Sequence, residues 1–193
     1  MTNIIGVGGL LRSGKDSFAD ELVEYFGAIK LGMSDPLIDA LVTVNPLIPI
    51  EDTAETLRLS ELIERVGYVK AKEQPEVRSL LQRFGTEWGR KKVSEDFWVD
   101  LARERVLDAS FAGGFPVVIT GMRFPNELRM ITGYDVKGET VWINRPGLVA
   151  GNHPSENSVT SNDFDVVIDN DGDLLDLETK ALAFGEERGW FRV

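Results

Sequence analysis

The sequence predicts an α/β fold in which a parallel sheet is covered by helices on both faces. Short apolar runs alternate with helical patterns along most of the chain. Each run is continuously apolar, as expected of strands buried on both faces, whereas a half-exposed sheet would alternate. A glycine-bearing loop joins the first run to the first helical pattern.

In order, residues 3–8 read as a strand (Ile4, Ile5, Val7), 9–14 as a loop and 15–26 as a helix. In that helix Phe18, Leu22, Val23 and Phe26 share an apolar face, and Asp20, Glu21 and Glu24 a charged one. A short strand follows at 28–31. Helices are predicted over 35–43, 55–66, 75–90 and 96–110, with Pro46 and Pro49 breaking the chain between the first two. Gly113 and Gly114 introduce a strand over 115–120. A helix begins near Pro125, since proline suits a first helical turn. Residues 140–144 form a strand ended by Pro146 and Gly147. Residues 165–169 form the last strand, turned by Asn170, Asp171 and Gly172, and a helix runs over 173–187. Ligands of such sheets lie beyond the carboxyl ends of the strands. Chemistry is therefore expected after residues 8, 31, 120, 144 and 169.

The loop reads Gly9-Leu10-Leu11-Arg12-Ser13-Gly14-Lys15-Asp16-Ser17. Strand, Gly-x-x-x-x-Gly-Lys and helix together form the phosphate-binding loop of nucleoside-triphosphate enzymes. Backbone N–H groups must converge on a phosphate, so side chains are minimised where the chain curls. Lys15 then reaches the outer phosphates, and the helix N-terminus adds its dipole and unsatisfied N–H groups. Gly9, Ser13, Gly14, Lys15, Asp16 and Ser17 are the expected ATP-binding set. The helical block over about 35–110 reads as an insertion within a single domain of residues 1–193, covering a second substrate. A role for that block as a subunit interface, in a homodimer, stays open.

Composition narrows the function classes. A chain of 193 residues can bury a full core, and 42% hydrophobic with 27% charged residues is ordinary for a globular domain. No apolar stretch approaches the roughly 20 residues that span a bilayer. No charged-then-apolar start resembles a signal peptide. Without cysteine, disulfide and thiolate chemistry are excluded, and one histidine, His153, excludes a histidine-rich metal site. A reducing cytoplasm is the expected compartment. A net charge of −11 argues against binding a long nucleic acid, though not a nucleotide.

The Gly14-Lys15-Asp16-Ser17 sequence, preceded by Arg12 and Ser13, resembles the phosphate-binding loop of phage deoxynucleoside monophosphate kinases. Ser34-Asp35-Pro36-Leu37-Ile38-Asp39-Ala40-Leu41 resembles the family's segment entering the monophosphate site. Residues 77–86, with Arg78, Gln82, Gly85 and Thr86, resemble its substrate helix, and Phe97-Trp98-Val99 its next aromatic element. Arg123, Asn126 and Glu127 follow the central strand as in the family. Arg145-Pro146-Gly147 and His153-Pro154-Ser155-Glu156 resemble its lid, and residues 165–172 its last strand and turn. The resemblance spans residues 4 to about 184. It implies a P-loop kinase fold with a lid over about 145–160. It also implies transfer of the ATP γ-phosphoryl group to a deoxynucleoside monophosphate with Mg2+, in a bacterial host's cytoplasm.

The residues suit that chemistry. Phosphoryl transfer needs two anions held in line while charge builds on equatorial oxygens, which cations and backbone donors achieve. Lys15, Arg12, Arg123 and Arg145 are the expected catalytic cations. Arg78 suits the acceptor phosphate, because a guanidinium fork matches phosphate oxygens. Arg123 is placed to bridge both phosphates. Glu127, four residues on, pairs with Arg123 or accepts from a sugar or base. Trp98 either stacks on the acceptor base or is core. Gly85 and Thr86 admit the nucleotide or cap a helix. Leu37 belongs to the same substrate set. His153 reads as a structural lid residue, since an ionised phosphate acceptor needs no general base. Arg83 and Arg90 read as surface.

One departure concerns the metal. Where the family carries an aspartate two residues before the arginine, this chain has Gly121. Asp16, with Ser17 beside it, is the expected substitute magnesium contact, with Asp35 or Glu127 acting through water as the alternatives. Two alternatives follow: a kinase of another phosphorylated metabolite, or an ATP-binding relative without turnover. A GTP switch is disfavoured because the chain lacks an Asn-Lys-x-Asp motif.

Overall fold

The computed structural model describes residues 3–133, 136–151 and 154–193. It divides into two compact units, residues 1–33 with 102–193, and residues 34–101.

In the first unit, β1 (Ile4–Gly8) leads into α1 (Lys15–Phe26) and β2 (Ile29–Gly32). In the second, α2 (Asp35–Val44), β3 (Leu47–Pro49), β4 (Thr56–Arg58), α3 (Leu59–Val66), α4 (Tyr68–Ala71) and α5 (Pro75–Gln82) precede a π-helix (Arg83–Val93). The boundary between the units falls inside α6 (Phe97–Gly113). The first unit then continues with β5 (Val117–Met122), α7 (Pro125–Thr132), β6 (Glu139–Asn144), α8 (Pro154–Asn157), a 3-10 turn (Ser161–Asp163), β7 (Val166–Asp169) and α9 (Leu174–Glu187).

Five strands form the sheet of the first unit in the order β2-β5-β1-β6-β7, all parallel. β1 is central, and all five of its residues are buried. The chain fills one side of β1 with β2 and β5, then the other with β6 and β7. The carboxyl end of β1 is thus a switch point, where sheets of this kind bind ligands. Ile5, Val7, Phe18, Leu22, Phe26, Val141, Ile143, Leu177 and Phe184 form the core between sheet and helices. Phe18 meets Phe184 edge-on at 5.4 Å, joining α1 to α9. Near the start of β6, Asp165 Oδ2 accepts from the Thr140 N–H at 2.8 Å and its hydroxyl at 2.7 Å. The same hydroxyl accepts from the Asp165 N–H at 3.1 Å.

β5 carries a bulge. Val7 pairs with Thr120 and Gly8 with Met122, so Gly121 is the extra residue. Its φ is 88°, in the left-handed region.

The second unit differs from its sequence pattern at several places, among them β3, β4, the short α4 and the π-helix. Residues 56–58 are a strand, where a helix was predicted from 55. β3 and β4 pair antiparallel, with Ile48 opposite Leu57. Ile48 is completely buried, and Leu57 packs on the same cluster of Leu41, Leu59, Leu62 and Val77. That tertiary burial outweighs local helical preference. α3 starts only at Leu59. There Glu61 Oε2 accepts from the Arg58 N–H at 2.9 Å, and Asn45 Oδ1 from the Ser60 N–H at 3.0 Å. The helix predicted over 75–90 changes to π spacing at Arg83 and extends to Val93. Gly89 lies so close to Trp98 that a Cβ there would sit 2.1 Å from the indole nitrogen.

The bulge yields a stability prediction. Gly121→Asp would restore the carboxylate that the resemblance implies, but at a positive φ. It should lower unfolding stability by about 1–3 kcal/mol in chemical denaturation. An unchanged midpoint would show that the backbone relaxes there without strain.

Candidate functional site

The loop over 9–14 curls back on itself, with the Ser13 N–H donating to the Leu10 carbonyl at 3.1 Å. Gly9, Arg12 and Gly14 have φ of 148°, 64° and 95°. Changes of backbone hand of this kind make successive N–H groups converge on an anion. A Cβ at Gly9 would lie 2.4 Å from Ser13 Oγ. The first hydrogen bond of α1 runs from the Phe18 N–H to the Gly14 carbonyl at 2.9 Å. Among the described residues, the N–H groups of Gly14, Lys15, Asp16 and Ser17 therefore have no partner. The Ser13 hydroxyl is fully buried and also lacks one. A buried hydroxyl left unpaired is costly. Orphan donors and an unpaired hydroxyl in one loop fit a phosphate group.

Lys15 is buried, with Nζ 3.4 Å from the Leu10 carbonyl and 3.9 Å from Asp16 Oδ2. Burial holds its ammonium below the ordinary lysine pKa. Asp16 opposes that shift, and the charges of Arg123 and Lys30 add to it. Lys30 was not singled out in the sequence. Its Nζ donates to Asp20 Oδ1 at 2.7 Å and to the Asp16 carbonyl at 3.3 Å, and lies 3.9 Å from Asp16 Oδ1. Its only sequence signal is a charge within the apolar run at 28–31.

Arg12, Arg123 and Arg145 are exposed. Among the described residues, their guanidinium groups have no hydrogen-bond or ion-pair partner. Arg123 follows β5 and Arg145 follows β6, both at the carboxyl edge of the sheet. Glu127 lies in the first turn of α7. It is 4% exposed, and its Oε2 accepts from the backbone N–H groups of Arg123 at 2.6 Å and Phe124 at 3.1 Å. The carboxylate satisfies orphan donors at the start of α7 and fixes the backbone that carries Arg123. Backbone N–H groups at the entry to α7 occupy that oxygen.

Asp16 is exposed beside Lys15, with the Ser17 hydroxyl on the next residue. A hard carboxylate oxygen and a hydroxyl suit magnesium, which retains several waters and needs few protein ligands. No cluster of three His, Cys, Asp or Glu side chains occurs among the described residues.

Asn170 was read from the sequence only as a turn. It is 3% exposed, and its Nδ2 donates to the Ser13 carbonyl at 2.8 Å. Its N–H donates to the Asn144 carbonyl at 2.6 Å, tying β7 to β6. Nearby, Asn144 Nδ2 donates to Asp169 Oδ1 at 2.7 Å.

Along the expected lid, Glu156 Oε2 accepts from the Gly151 N–H at 2.9 Å. The reading of His153 lies outside the described residues.

The remaining expected residues lie in the helical unit. Leu37 meets Gly85, where a Cβ would sit 3.1 Å from Leu37 Cδ2. Trp98 is 4% exposed, and its indole N–H donates to the Gly85 carbonyl at 2.9 Å. Phe84 and Phe97 lie against it at 5.7 and 4.7 Å. Of the two roles left open for Trp98, this burial is that of a core residue, with little surface left for a base. The exposed aromatic here is Trp88, stacked on Phe84 at 4.8 Å and 45% exposed. Gly85 and Thr86 cap no helix, because the π-helix runs on through them. Arg78 is exposed on α5, and Thr86 is half-buried.

Comparison with known proteins adds the lineage. The chain is 31% identical over 164 residues to uncharacterized protein ORF76 of Ictalurid herpesvirus 1 (strain Auburn), covering 84% of this chain and 56% of that protein. It is 29% identical over 155 residues to uncharacterized protein ORF77 of the same virus, covering 78% and 56%. The chain thus spans about half the length of these curated relatives. Among solved structures, TT1252 from Thermus thermophilus shares the fold at a TM-score of 0.50 and 20% identity, covering 96% of this chain and 97% of that one. Among the described residues, no helix is long and apolar enough to cross a membrane. The family model for deoxynucleotide monophosphate kinase matches residues 50–181. That span takes in Arg78, Gly85, Thr86, Trp98, Arg123, Glu127 and Arg145, and leaves the curled loop and Leu37 outside it. With about two thirds of its length matched, the chain belongs to the deoxynucleotide monophosphate kinase family.

Proposed function

We propose that this chain transfers the γ-phosphoryl group of ATP to a deoxynucleoside 5′-monophosphate, giving the diphosphate and ADP. The observation that carries the reading is the buried Lys15 beside a loop of unpartnered N–H groups, at the carboxyl end of the central strand. Family membership supports a nucleotide as the acceptor.

In the reaction, an acceptor phosphate oxygen bonds to the γ-phosphorus. The bond to the β,γ-bridging oxygen breaks, and its electron pair leaves with ADP. The loop N–H groups hold the donor phosphates. Lys15 follows the charge that builds on the γ-phosphoryl oxygens. Arg123 bridges donor and acceptor, and Arg12 and Arg145 close on the donor. Glu127 acts through Arg123 by fixing its backbone. Asp16 and Ser17 would hold Mg2+, which supplies neutralisation of phosphate charge. Arg78 takes the acceptor phosphate, with Leu37, Gly85 and Thr86 in the same helical unit. In this reading residues 34–101 are the acceptor-binding insertion of one kinase domain, and 145–160 its lid.

The burial of Trp98 withdraws a base-stacking argument for a nucleotide acceptor. It favours keeping a second reading, a kinase of another phosphorylated metabolite. An ADP-release assay with ATP and magnesium decides between them. Stimulation by one or more of dAMP, dCMP, dGMP and dTMP supports the nucleotide reading. Stimulation only by other phosphate esters supports the second.

Lys15→Ala should lower turnover by about 100-fold or more while the far-ultraviolet spectrum is kept. Near wild-type turnover would remove Lys15 from catalysis. Arg78→Ala should raise the KM for the monophosphate and leave ATP affinity within about twofold, since it removes a contact to one substrate only. Equal weakening of both would place Arg78 elsewhere. A pH effect follows from the lowered Lys15 pKa. The protonated ammonium binds phosphate, so ATP affinity is complete below that pKa. It falls as pH rises through it, sooner than an ordinary lysine would allow. Calorimetric titration across alkaline pH should show this fall, and Lys15→Arg should flatten it.

A further inference from the structure

We infer that Asn170 is a positioning residue for the phosphate-binding loop, acting through the Ser13–Gly14 peptide. The inference rests on the loop being the ATP site, as proposed above. It concerns a side chain that the reaction does not touch.

The argument begins with peptide geometry. In a trans peptide the carbonyl of one residue and the N–H of the next point in opposite directions. Asn170 Nδ2 donates to the Ser13 carbonyl at 2.8 Å and so fixes that plane. The Gly14 N–H must then point away from Asn170, and among the described residues it has no partner. Its orientation is set before any anion arrives, which is what a preorganised donor requires.

Two further observations make this a built contact. Asn170 is buried, and its own N–H is held by the Asn144 carbonyl at 2.6 Å, so the amide is anchored to the carboxyl edge of the sheet. It also packs tightly under the loop: a Cβ on residue 14 would lie 2.4 Å from Asn170 Nδ2, at a φ of 95°. With Asn170 in this place, the loop has room only for glycine at 14. Removal of the amide frees the Ser13–Gly14 peptide to rotate, and the Gly14 N–H loses its aim. An ionised aspartate could not donate to the carbonyl.

The test uses the full chain and the variants Asn170→Ala and Asn170→Ser, with Lys15→Ala as reference. ATP affinity is measured by calorimetry, and the KM values for ATP and the monophosphate by steady-state kinetics. Amide spectra of 15N-labelled protein follow the Gly14 N–H, and thermal melting follows the fold. Wild type should bind ATP with a shift of the Gly14 amide. Asn170→Ala should bind ATP about tenfold more weakly, the loss of roughly one well-aimed hydrogen bond. Its Gly14 shift should be reduced, and its monophosphate KM should stay within twofold of wild type. Asn170→Ser, which keeps a short donor, should recover part of the affinity. If Asn170→Ala melts too early to assay, Asn170→Ser carries the same comparison. ATP affinity within twofold of wild type in Asn170→Ala would overturn the inference. So would equal weakening of both substrates together with a lowered melting temperature, since that is loss of fold. If wild type itself binds no ATP, the reading of the loop fails, and this inference fails with it for a reason the variants do not share.

Discussion

The first unit depends on the burial of one strand. β1 lies between β5 and β6 with every residue out of water, so its polar backbone must be paired on both edges. Those pairings put the carboxyl ends of its neighbours beside its own. α1 has to return across the sheet to bury Phe18, Leu22 and Phe26. The residues between are left to make a tight curl at the one edge where the chain can turn. The phosphate-binding loop is this link, and its left-handed backbone follows from how little chain is available.

The same edge gathers charge in an otherwise acidic protein. Lys15, Lys30 and Arg123 are close enough for the two latter charges to lower the Lys15 pKa. Mutual repulsion of cations is tolerable where an anion is to be bound. Asp16 and Asp20 offset part of it in the meantime, through Lys30 and Lys15. A net charge of −11 over the whole chain therefore coexists with a local site for phosphate. Local geometry, rather than overall charge, sets what that edge can bind.

Second-tier contacts hold the groups that would meet substrate. Glu127 binds the backbone of Arg123, and Asn170 binds the backbone of Ser13. In both contacts the group that the side chain meets is a main-chain atom, which every residue carries. A sequence pattern records side-chain identity and cannot show which backbone group a side chain will find. Glu127 therefore read as a substrate or arginine partner, and Asn170 as a turn. Trp98 was equally ambiguous, because a tryptophan in the first turn of a helix looks the same whether its ring meets a base or the Gly85 carbonyl.

The sequence by itself determined the order of the strands and of the longer helices in the first unit, the loop with its glycines and lysine, and the arginines after β5 and β6. These are local matters: apolar periodicity, turn residues and motif spacing act within a few positions of one another. Tertiary structure alone decided the β3–β4 hairpin, the bulge at Gly121, the burial of Trp98 and the inward turn of Glu127 and Asn170. Ile48 and Leu57 form strand because a core shared with Leu41 and Val77 rewards it. Gly121 is extra because β5 must keep register with β1 on either side of it. Each of these outcomes is set by partners distant in the chain, and their free energy does not exist until the chain has brought them together.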